Sequence, residues 1–233
     1  MSLEKPLTKL EIIKLGKMYE MKIQIPDVTL LAYSCQRQKE TIEALKRSYD
    51  CINFEDVKIL SNTKPSSLPK EIKYEFAPKI LDIDDFNYYF FIELGKHIET
   101  NYVLTIQYHG FVKNPTRWTN EFLEFSYIGA PWPIVSNAYM ANDGTNVRVG
   151  NGGFSLRDSN VLNLPKKMGW HLREEQGWKN EDGQICCYWR KEMLENGIKY
   201  APVEVAAKFS YENPVPENLG IKTFGFHRNH PNE

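Results

Sequence analysis

Two adjacent carboxylates are the strongest candidates for chemistry in this sequence. Glu181 and Asp182 stand at the start of a segment, 181–195, that we expect to form a helix with Gly197 at its C-terminal end. A carboxylate held in a site can accept a proton from an attacking hydroxyl group. Acidic residues in a first helical turn also satisfy free backbone N–H groups and the helix dipole, so the pair by itself is also consistent with helix capping.

A glycine-rich segment is the second candidate. Gly150, Gly152 and Gly153 surround Asn151, between a polar stretch at 134–149 and the apolar residues that follow. Glycines let a backbone pass close to a ligand or adopt a positive φ, and the Asn151 amide offers a donor and an acceptor to sugar hydroxyls. A plain hairpin turn uses the same residue types, so that alternative stays open.

Composition and missing motifs exclude several classes of protein. The 233 residues carry 29 Lys and Arg against 30 Asp and Glu, a net charge of −1, which argues against a nucleic-acid-binding protein. The sequence has no P-loop, GxGxxG, HExxH or GxSxG motif. We therefore set aside nucleoside triphosphatases, dinucleotide oxidoreductases, zinc proteases with the HExxH helix and α/β-hydrolases.

The sequence is typical of a cytoplasmic protein. No apolar run approaches the ~20 residues needed to span a bilayer. The charged N-terminal segment lacks the apolar region and the cleavage site of a secretory signal. Cys35, Cys51, Cys186 and Cys187 match neither a zinc-binding CxxC spacing nor a disulfide framework, and we interpret them as reduced thiols.

The elements that must position these residues alternate between strand and helix in the first half of the chain. The predicted order is strand 28–33, helix 36–48, strand 57–60, helix 84–98 and strand 102–107. This order predicts an α/β fold with a mostly parallel central sheet flanked by helices. Such sheets bind ligands at the carboxyl ends of their strands, here just after Tyr33, Leu60 and Gln107.

The remaining segments have weaker local signals. Apolar residues at near-helical spacing predict that 1–24 contains an N-terminal helix packed on a domain spanning 25–233. Pro26 and Asp27 are expected to break the chain before the first strand. The segment 224–228 is expected to be irregular.

Five motifs follow one another in the second half of the chain. They are IGAPW at 128–132, VGNGGFSLR at 149–157, Asn180-Glu181-Asp182, APVEVA at 201–206 and FGFH at 224–227. As an ordered set they resemble a poorly characterised family of GT-A-type glycosyltransferases, formerly described only as a domain of unknown function. The resemblance covers residues 28–230. It implies a single GT-A domain, the Rossmann-like fold of nucleotide-diphospho-sugar transferases.

The resemblance also implies a reaction: transfer of a sugar from a nucleotide-sugar donor, by default a UDP-sugar, to a hydroxyl group on a glycan or other acceptor. In inverting enzymes of this fold an acidic pair near a helix N-terminus provides the base, a role that we assign to Asp182, with Glu181 second. The loop at 134–149 is expected to close over the donor. A catalytically silent nucleotide- or carbohydrate-binding protein of the same fold is the alternative. A nucleotidyltransferase is disfavoured because 33–36, after the first strand, contains no glycine.

The expected binding residues lie at the strand ends and in the motifs. Tyr33 is a candidate for stacking on the nucleotide base. Trp132 and Trp178 are candidate platforms for the acceptor, although core packing would equally explain Trp132. The complete set of donor-binding candidates, of which Arg157 and Lys208 are expected to neutralise the diphosphate, is Tyr33, Ser34, Arg37, Asn62, Gln107, Asn151, Gly152, Gly153, Arg157 and Lys208.

The expected metal site departs from the family pattern. Many GT-A enzymes hold Mn²⁺ or Mg²⁺ through an Asp-x-Asp motif after a central strand, where this sequence has Gln107-Tyr108-His109. His227 matches the C-terminal histidine that often completes a metal or diphosphate site in this fold. Amide and imidazole groups are poor ligands for a hard cation. A weakened Mn²⁺ or Mg²⁺ site, a softer ion on His109 and His227, metal-free transfer and ordinary packed histidines all stay open.

Overall fold

A six-stranded sheet forms the centre of the protein, whose computed structural model describes residues 22–134, 139–174 and 179–228. The strands, in chain order, are β1 (Ile23–Tyr33), β2 (Ile52–Ser61), β3 (Lys73–Phe76), β4 (Tyr102–Ile106), β5 (Gly110–Val112), β6 (Tyr127–Ile128), β7 (Ala130–Pro131), β8 (Val149–Gly150), β9 (Phe154–Asp158), β10 (Ser210–Tyr211) and β11 (Gly225–His227). The sheet order is β3–β2–β1–β4–β9–β6. The first four strands of this order run parallel, whereas β9 runs antiparallel to both β4 and β6. The predicted mostly parallel sheet is therefore confirmed.

Helices cover both faces of this sheet. They are α1 (Gln38–Tyr49), α2 (Ile83–Tyr88), α3 (Ser159–Met168), α4 (Glu181–Gly183), α5 (Arg190–Glu195) and α6 (Val203–Phe209). A wider π-helical turn and a 3₁₀ turn extend α2 to His97, and a π-helical turn at Gln184–Tyr188 separates α4 from α5. The three helices predicted within the described residues, 36–48, 84–98 and 181–195, are present, the last two with these irregular turns. The sequence predicts Asp84 or Asp85 as the N-cap of this helix, but the N-cap of α2 is Asp82, whose side chain accepts a hydrogen bond from the backbone N–H of Asp85.

Two apolar layers explain why the central strands show no alternation in sequence. On one face, Leu30 of β1 packs in a cluster with Leu45 of α1. On the other face, Leu31 packs with Phe90, after α2, and Leu162 of α3. All of these residues are buried. Because both faces of the sheet are covered, successive residues of β1 are apolar, as in other parallel sheets.

A small second sheet sits at the carboxyl end of β4. It has the order β10–β11–β5, with β11 antiparallel to β5, so that His227 pairs with Gly110. A tight turn joins β4 to β5, in which the N–H of Gly110 donates to the carbonyl of Gln107 at 2.9 Å. The expectation that 224–228 is irregular is wrong, because β11 is stabilised by partners distant in sequence and is too short to show a pattern of its own.

The expected break at Pro26 and Asp27 is also wrong. Both residues lie inside β1, where the pairing with β2 shifts register between Ile25 and Thr29. Asp27 adopts a φ of 65°, and its carboxylate accepts a hydrogen bond from the backbone N–H of Asn101 at 2.8 Å. The strand therefore absorbs the turn-forming pair as a bulge instead of starting after it.

Two further expectations concern the N-terminal segment and the absence of a membrane span. The predicted N-terminal helix within 1–24 lies almost wholly outside the described residues, so the division at residue 25 stays a prediction. Within the three described ranges, no helix has the length and apolar character required to cross a membrane.

Candidate active site

A pocket opens where β1 and β4 end, and we name it the Tyr33 pocket. Its volume is about 420 Å³. Its wall combines the residues after β1, the residues after β4 and the segment that leads into α2: Tyr33, Ser34, Cys35, Gln36, Arg37, Thr41, Ile80, Leu81, Asp82, Ile83, Phe86, Gln107 and Tyr108. The structure thus brings together four of the predicted donor-binding residues, Tyr33, Ser34, Arg37 and Gln107, at the edge of the sheet where ligands bind in this class of fold.

The Tyr33 side chain fixes one wall of this pocket. Its hydroxyl donates to the carbonyl of Pro78 at 2.8 Å and accepts from the N–H of Ile80 at 3.1 Å. Burial raises the pKa of Tyr33, so the hydroxyl stays protonated as this donation requires. The ring packs edge-on against Phe86, with 6.4 Å between centroids. Tyr33 therefore joins the end of β1 to the segment that precedes α2.

A cation stands at the mouth of the pocket. The Arg37 guanidinium lies 4.7 Å from the centre of the Tyr108 ring, and its side chain is 58% exposed. The hydroxyl of Ser34 accepts from the backbone N–H of Arg37 at 3.0 Å, which fixes the chain where α1 begins. Glu40 lies 3.8 Å from the guanidinium and offsets part of its charge. An anionic ligand in the pocket would meet this guanidinium.

Gln107, His227 and Asn151 form a hydrogen-bonded series that we name the amide–imidazole chain. The Asn151 carbonyl oxygen accepts from the N–H groups of Gly153 and Phe154 at 2.8 and 3.2 Å, so its NH₂ group must be the donor to His227 Nδ1 at 3.0 Å. His227 therefore carries its proton on Nε2, which donates to Gln107 Oε1 at 3.2 Å. The chain links the Tyr33 pocket to the glycine-rich segment.

The glycines of this segment allow side chains to approach the backbone closely. A Cβ on Gly153 would lie 2.0 Å from His227 Nε2, and one on Gly152 would lie 1.7 Å from Glu181 Oε1. The positive φ, 70°, belongs to Asn151, a residue type that tolerates it. Asn151 is only 2% exposed and its amide is used internally, so the structure does not support its expected contact with sugar hydroxyls.

His109 lies beside the chain. Its ring centre is 4.4 Å from that of His227, and the two planes are 72° apart. Burial lowers the pKa of His109 to about 4, and the nearby charge of Arg37 acts in the same direction. Among the described residues, none forms a hydrogen bond with the buried Nδ1 atom of His109. His109 is therefore neutral near pH 7 and adds no positive charge to the site.

The donor set here does not fit Mn²⁺ or Mg²⁺. Both nitrogens of His227 are engaged in the amide–imidazole chain, and Gln107 Oε1 accepts from one of them. The Glu212 carboxylate lies near, 3.6 Å from His227 Nδ1. In the described parts of the chain, no three His, Cys, Asp or Glu side chains lie close enough together to hold a metal ion. Hard cations require more oxygen ligands than this arrangement provides.

A second space, which we name the Asp182 cavity, lies on the other side of the amide–imidazole chain. Its volume is about 230 Å³. Glu212, which lies beside His227, forms part of its wall. The residues around it are Trp132, Tyr139, Asn180, Asp182, Gly183, Cys187, Tyr188, Glu212 and Asn213. Tyr139, Tyr188 and Glu212 carried no signal in the sequence, because they come from separate loops and turns that only the tertiary fold brings together.

Asp182 is the titratable group of this cavity. Its carboxylate accepts hydrogen bonds from the N–H groups of Gly183 and Gly152 at 2.8 and 3.2 Å. Burial, and then the negative charge of Glu181, raise the pKa of Asp182 to about 7, although the two N–H groups act in the opposite direction. A carboxylate with a pKa near 7 is well suited to accept a proton at neutral pH.

The neighbouring Glu181 has a different environment. Both of its carboxylate oxygens accept from one Arg157 nitrogen at 3.0 Å, and the two side chains are 5% and 0% exposed. A buried carboxylate paired in this way cannot take a proton from a substrate without leaving Arg157 uncompensated. The expectations that Glu181 is a second base and that Arg157 contacts a diphosphate are therefore not supported.

The other predicted residues are dispersed. Lys208 is exposed and lines a separate groove with Lys222. Asn62, after β2, lies outside both the Tyr33 pocket and the Asp182 cavity. Trp132 stacks on Tyr139 with 4.2 Å between centroids and is buried, yet it forms part of the cavity wall. Trp178 lies outside the described residues.

The loop predicted to close over the donor is described for residue 134 and for 139–149. Ala141 and Val147 are buried in an apolar cluster, and the Asn142 amide donates to Glu192 at 2.8 Å. These contacts hold 139–149 against α5 rather than over the Tyr33 pocket. Residues 135–138 lie outside the described residues.

Comparisons with known proteins agree with this architecture. No curated protein matches the sequence. The fold is similar to that of the galactosyltransferase LgtC in complex with donor and acceptor sugar analogues, with a TM-score of 0.50, 13% identity and 87% of each chain covered. It is also similar to that of a glycosyltransferase involved in glycosylation of the major capsid of PBCV-1, with a TM-score of 0.51, 13% identity and coverage of 86% of this chain and 91% of that one. At such identity the likeness shows a shared GT-A fold.

A family model narrows the relationship further. The model for "Protein of unknown function (DUF5672)" matches residues 88–227, from α2 to the end of β11. The matched segment contains the glycine-rich turn, Asp182 and His227, and it spans more than half of the chain. The chain therefore belongs to the DUF5672 family.

Proposed function

We propose that this protein is a glycosyltransferase that moves a sugar from a nucleotide-sugar donor to a hydroxyl group of an acceptor. The observation that carries the proposal is the placement of Asp182, a carboxylate with a pKa of about 7, in a cavity that the amide–imidazole chain connects to the pocket at the strand ends. The GT-A fold, shared with two glycosyltransferases, supports the same reaction class.

The geometry suggests a division of roles. The nucleoside of the donor occupies the Tyr33 pocket, with the base against the aromatic wall and the diphosphate near Arg37. The sugar extends past Gln107 and His227 toward the Asp182 cavity. Trp132 and Tyr139 give that cavity an aromatic wall of the kind that packs on sugar faces.

The chemical step follows from this placement. The acceptor hydroxyl attacks the anomeric carbon of the donor sugar while Asp182 takes the hydroxyl proton. The new bond joins the acceptor oxygen to the anomeric carbon, and the bond to the diphosphate breaks with its electron pair leaving on the diphosphate. Attack opposite to the leaving group inverts the configuration at the anomeric carbon. Uridine diphosphate, implied by the sequence resemblance, is the first donor carrier to test.

A silent binding protein of the same fold is the second candidate. The observation in its favour is the presence of Gln107 and His109 at positions where enzymes of this fold commonly carry carboxylates. Such a protein would bind a nucleotide in the Tyr33 pocket without transferring a sugar.

Calorimetry and a transfer assay distinguish these functions. Titration with UDP, GDP and their sugars should give micromolar binding of one nucleotide, about −8 kcal/mol. Asp182→Asn should lower the transfer rate by about 10²- to 10⁴-fold, as expected for loss of a general base, with nucleotide affinity nearly unchanged. Asp50→Asn, an exposed substitution remote from the site, is the matched control.

Each failure has a separate meaning. If no nucleotide binds, the glycosyltransferase proposal is wrong. Nucleotide binding with neither transfer to any acceptor nor hydrolysis of the donor would favour the silent binding protein. Transfer by Asp182→Asn at the rate of the unmodified protein would leave the reaction class in place and remove Asp182 as its base.

A further inference from the structure

We propose that the donor diphosphate is bound here without a divalent cation, through the Arg37 guanidinium and the Gln107 NH₂ group, which the bond from His227 to Gln107 Oε1 orients. This inference rests on the proposed function, because it concerns the same donor. It assigns to the protein's own hydrogen-bond donors the positive charge and the oxygen contacts that a cation would otherwise supply.

Two backbone contacts fix the orientation of the Asn151 amide. Its carbonyl oxygen accepts from two backbone N–H groups, those of Gly153 and Phe154, at 2.8 and 3.2 Å. Reversing the amide would place its NH₂ group against both donors, which leaves three donors without an acceptor. The NH₂ group is therefore fixed toward His227.

The protonation of His227 follows from that orientation. Nδ1 accepts from the Asn151 NH₂ group at 3.0 Å, so the ring proton is on Nε2, directed at Gln107 Oε1 at 3.2 Å. A metal ligand must offer a free lone pair. The Nδ1 lone pair of His227 is used, and Nε2 carries a proton, so the ring is arranged to donate a hydrogen bond rather than to ligate.

The backbone around His227 preserves this arrangement. A Cβ on Gly153 would overlap the imidazole, at 2.0 Å from Nε2, so only glycine permits the ring to lie where it does. Asn151 keeps a φ of 70° while it bonds the ring. A backbone conformation that most residues avoid is thus maintained at the residue that sets the histidine tautomer.

The neighbouring groups do not complete a cation site. At the position after β4 the protein offers the Gln107 amide and the His109 imidazole, neither of which is a carboxylate. Glu212 is on the far side of His227, 3.6 Å from the nitrogen that Asn151 already occupies. A hard cation in this place would therefore lack the carboxylate oxygens that it prefers.

The charge that opposes the diphosphate comes instead from Arg37. Its guanidinium lies over the Tyr108 ring at 4.7 Å and lines the Tyr33 pocket together with Gln107. A guanidinium bonds phosphate oxygens in pairs, with a charge-assisted hydrogen bond at each contact. The Gln107 NH₂ group adds a neutral donor at the pocket wall, and the bond from His227 Nε2–H to Gln107 Oε1 fixes which end of the amide carries it.

Calorimetry with UDP, and with GDP if UDP does not bind, in EDTA and then in Mg²⁺ or Mn²⁺, tests the inference directly. We expect the Kd to agree within about twofold among the three conditions. Affinity that appears only with a metal, or rises by about tenfold or more with it, would overturn the inference and leave the proposed function intact. If neither UDP nor GDP binds in any condition, the proposed function itself fails, which is a different result.

Two variants make the test sharper. Arg37→Met should weaken nucleotide binding in EDTA by about 10- to 100-fold, the usual range for loss of a charge-assisted contact. Lys64→Met, at an exposed cation that lies outside the Tyr33 pocket, is the matched control and should leave the Kd unchanged. Equal affinity in both variants would show that Arg37 does not neutralise the diphosphate.

A gain of metal dependence is the converse experiment. The double variant Gln107→Asp, His109→Asp introduces the two carboxylates that the site lacks. Its nucleotide affinity is expected to become Mn²⁺-dependent, weak in EDTA and restored by the metal, whereas the unmodified protein stays insensitive. If both proteins respond to Mn²⁺ alike, the cation is held by other residues and the inference is wrong.

Discussion

The Tyr33 pocket and the Asp182 cavity lie on either side of the amide–imidazole chain and differ in charge. The Tyr33 pocket has a cation, Arg37, at its mouth and an aromatic and aliphatic wall. The Asp182 cavity contains two carboxylates, Asp182 and Glu212, beside Trp132. An anion is therefore favoured in one space, and a proton acceptor is held in the other.

The difference shows why the two spaces are kept apart. A diphosphate adjacent to Asp182 would raise its pKa further and keep the carboxylate protonated at neutral pH. The elements between them, Gln107, His227 and Asn151, carry no net charge in the arrangement deduced from their hydrogen bonds. Because these side chains are neutral, phosphate binding in one space and proton transfer in the other can take place without either changing the other.

The largest expected effect concerns the buried ion pair behind the Asp182 cavity. Glu181→Gln leaves the Arg157 guanidinium buried without a counter-charge, which should lower the free energy of unfolding by about 3–5 kcal/mol. It also removes the negative charge that raises the pKa of Asp182, so the basic form should persist to lower pH. Urea denaturation and the pH profile of transfer measure the two effects.

An ion pair of the same geometry provides the control. Arg148 also donates from one nitrogen to both oxygens of Glu217 at 3.0 Å, but these side chains are 21% and 24% exposed. Glu217→Gln should cost about 1 kcal/mol or less, because water solvates the remaining charge. Equal losses in the two variants would contradict the argument that burial decides the cost.

Replacement of Asp182 should have a smaller effect on the free energy of unfolding, and of the opposite sign. With a pKa of about 7 against the ordinary 3.8, the native state retains a proton that the unfolded state releases above pH 4. The free energy of unfolding therefore falls as pH rises from 4 to 7, and the loss is constant above pH 7. Asp182→Asn cannot ionise, so it should be more stable than the unmodified protein at pH 8.

The expected gain in the free energy of unfolding at pH 8 is on the order of 2 kcal/mol. Asparagine avoids the cost of a buried charge, but it accepts only one of the two backbone hydrogen bonds that the carboxylate accepts, which limits the gain. At pH 4 the two proteins should have similar stability. Thermal or urea unfolding at pH 4, 6 and 8 measures the difference. A variant that is less stable at every pH would indicate that Asp182 is ionised in the native state well below pH 7.

The fold was largely predictable because its first half depends on local order. Strand, helix and strand follow one another in sequence, and β1, buried on both faces, has a continuous apolar run. Where pairing depends on distant residues, prediction fails. The three residues of β11 acquire their strand conformation from β5 and β10, and the Pro26–Asp27 pair is tolerated because β1 can bulge.

The site was predictable only in part, for a related reason. Residue type and position in a motif made Asp182 and His227 candidates, and their roles stay predictions. Residue type and position did not show that Glu181, the residue before Asp182, forms a buried ion pair, because its partner, Arg157, lies on β9, which is distant in sequence. The sequence also did not show that the Asn151 amide is used internally, since its bond to His227 depends on the pairing that places β11 beside it.

The smallest expected effect tests whether the Tyr33 pocket and the Asp182 cavity act independently. Tyr33→Phe keeps the ring but loses the two hydrogen bonds that join it to Pro78 and Ile80. Stability should fall by about 1 kcal/mol. The pocket wall at 78–83 should loosen, with nucleotide affinity reduced several-fold, while the pH profile set by Asp182 stays the same.

Tyr102→Phe is the matched control, because its hydroxyl also donates to a backbone carbonyl, that of Leu123, at 2.6 Å, away from both spaces. It should lose similar stability and bind nucleotide normally. If both variants bind nucleotide with the same affinity, the Tyr33 hydroxyl does not position the pocket wall. If Tyr33→Phe also moves the pH profile, the amide–imidazole chain does not isolate the two spaces, because a change on one side then reaches the carboxylate on the other.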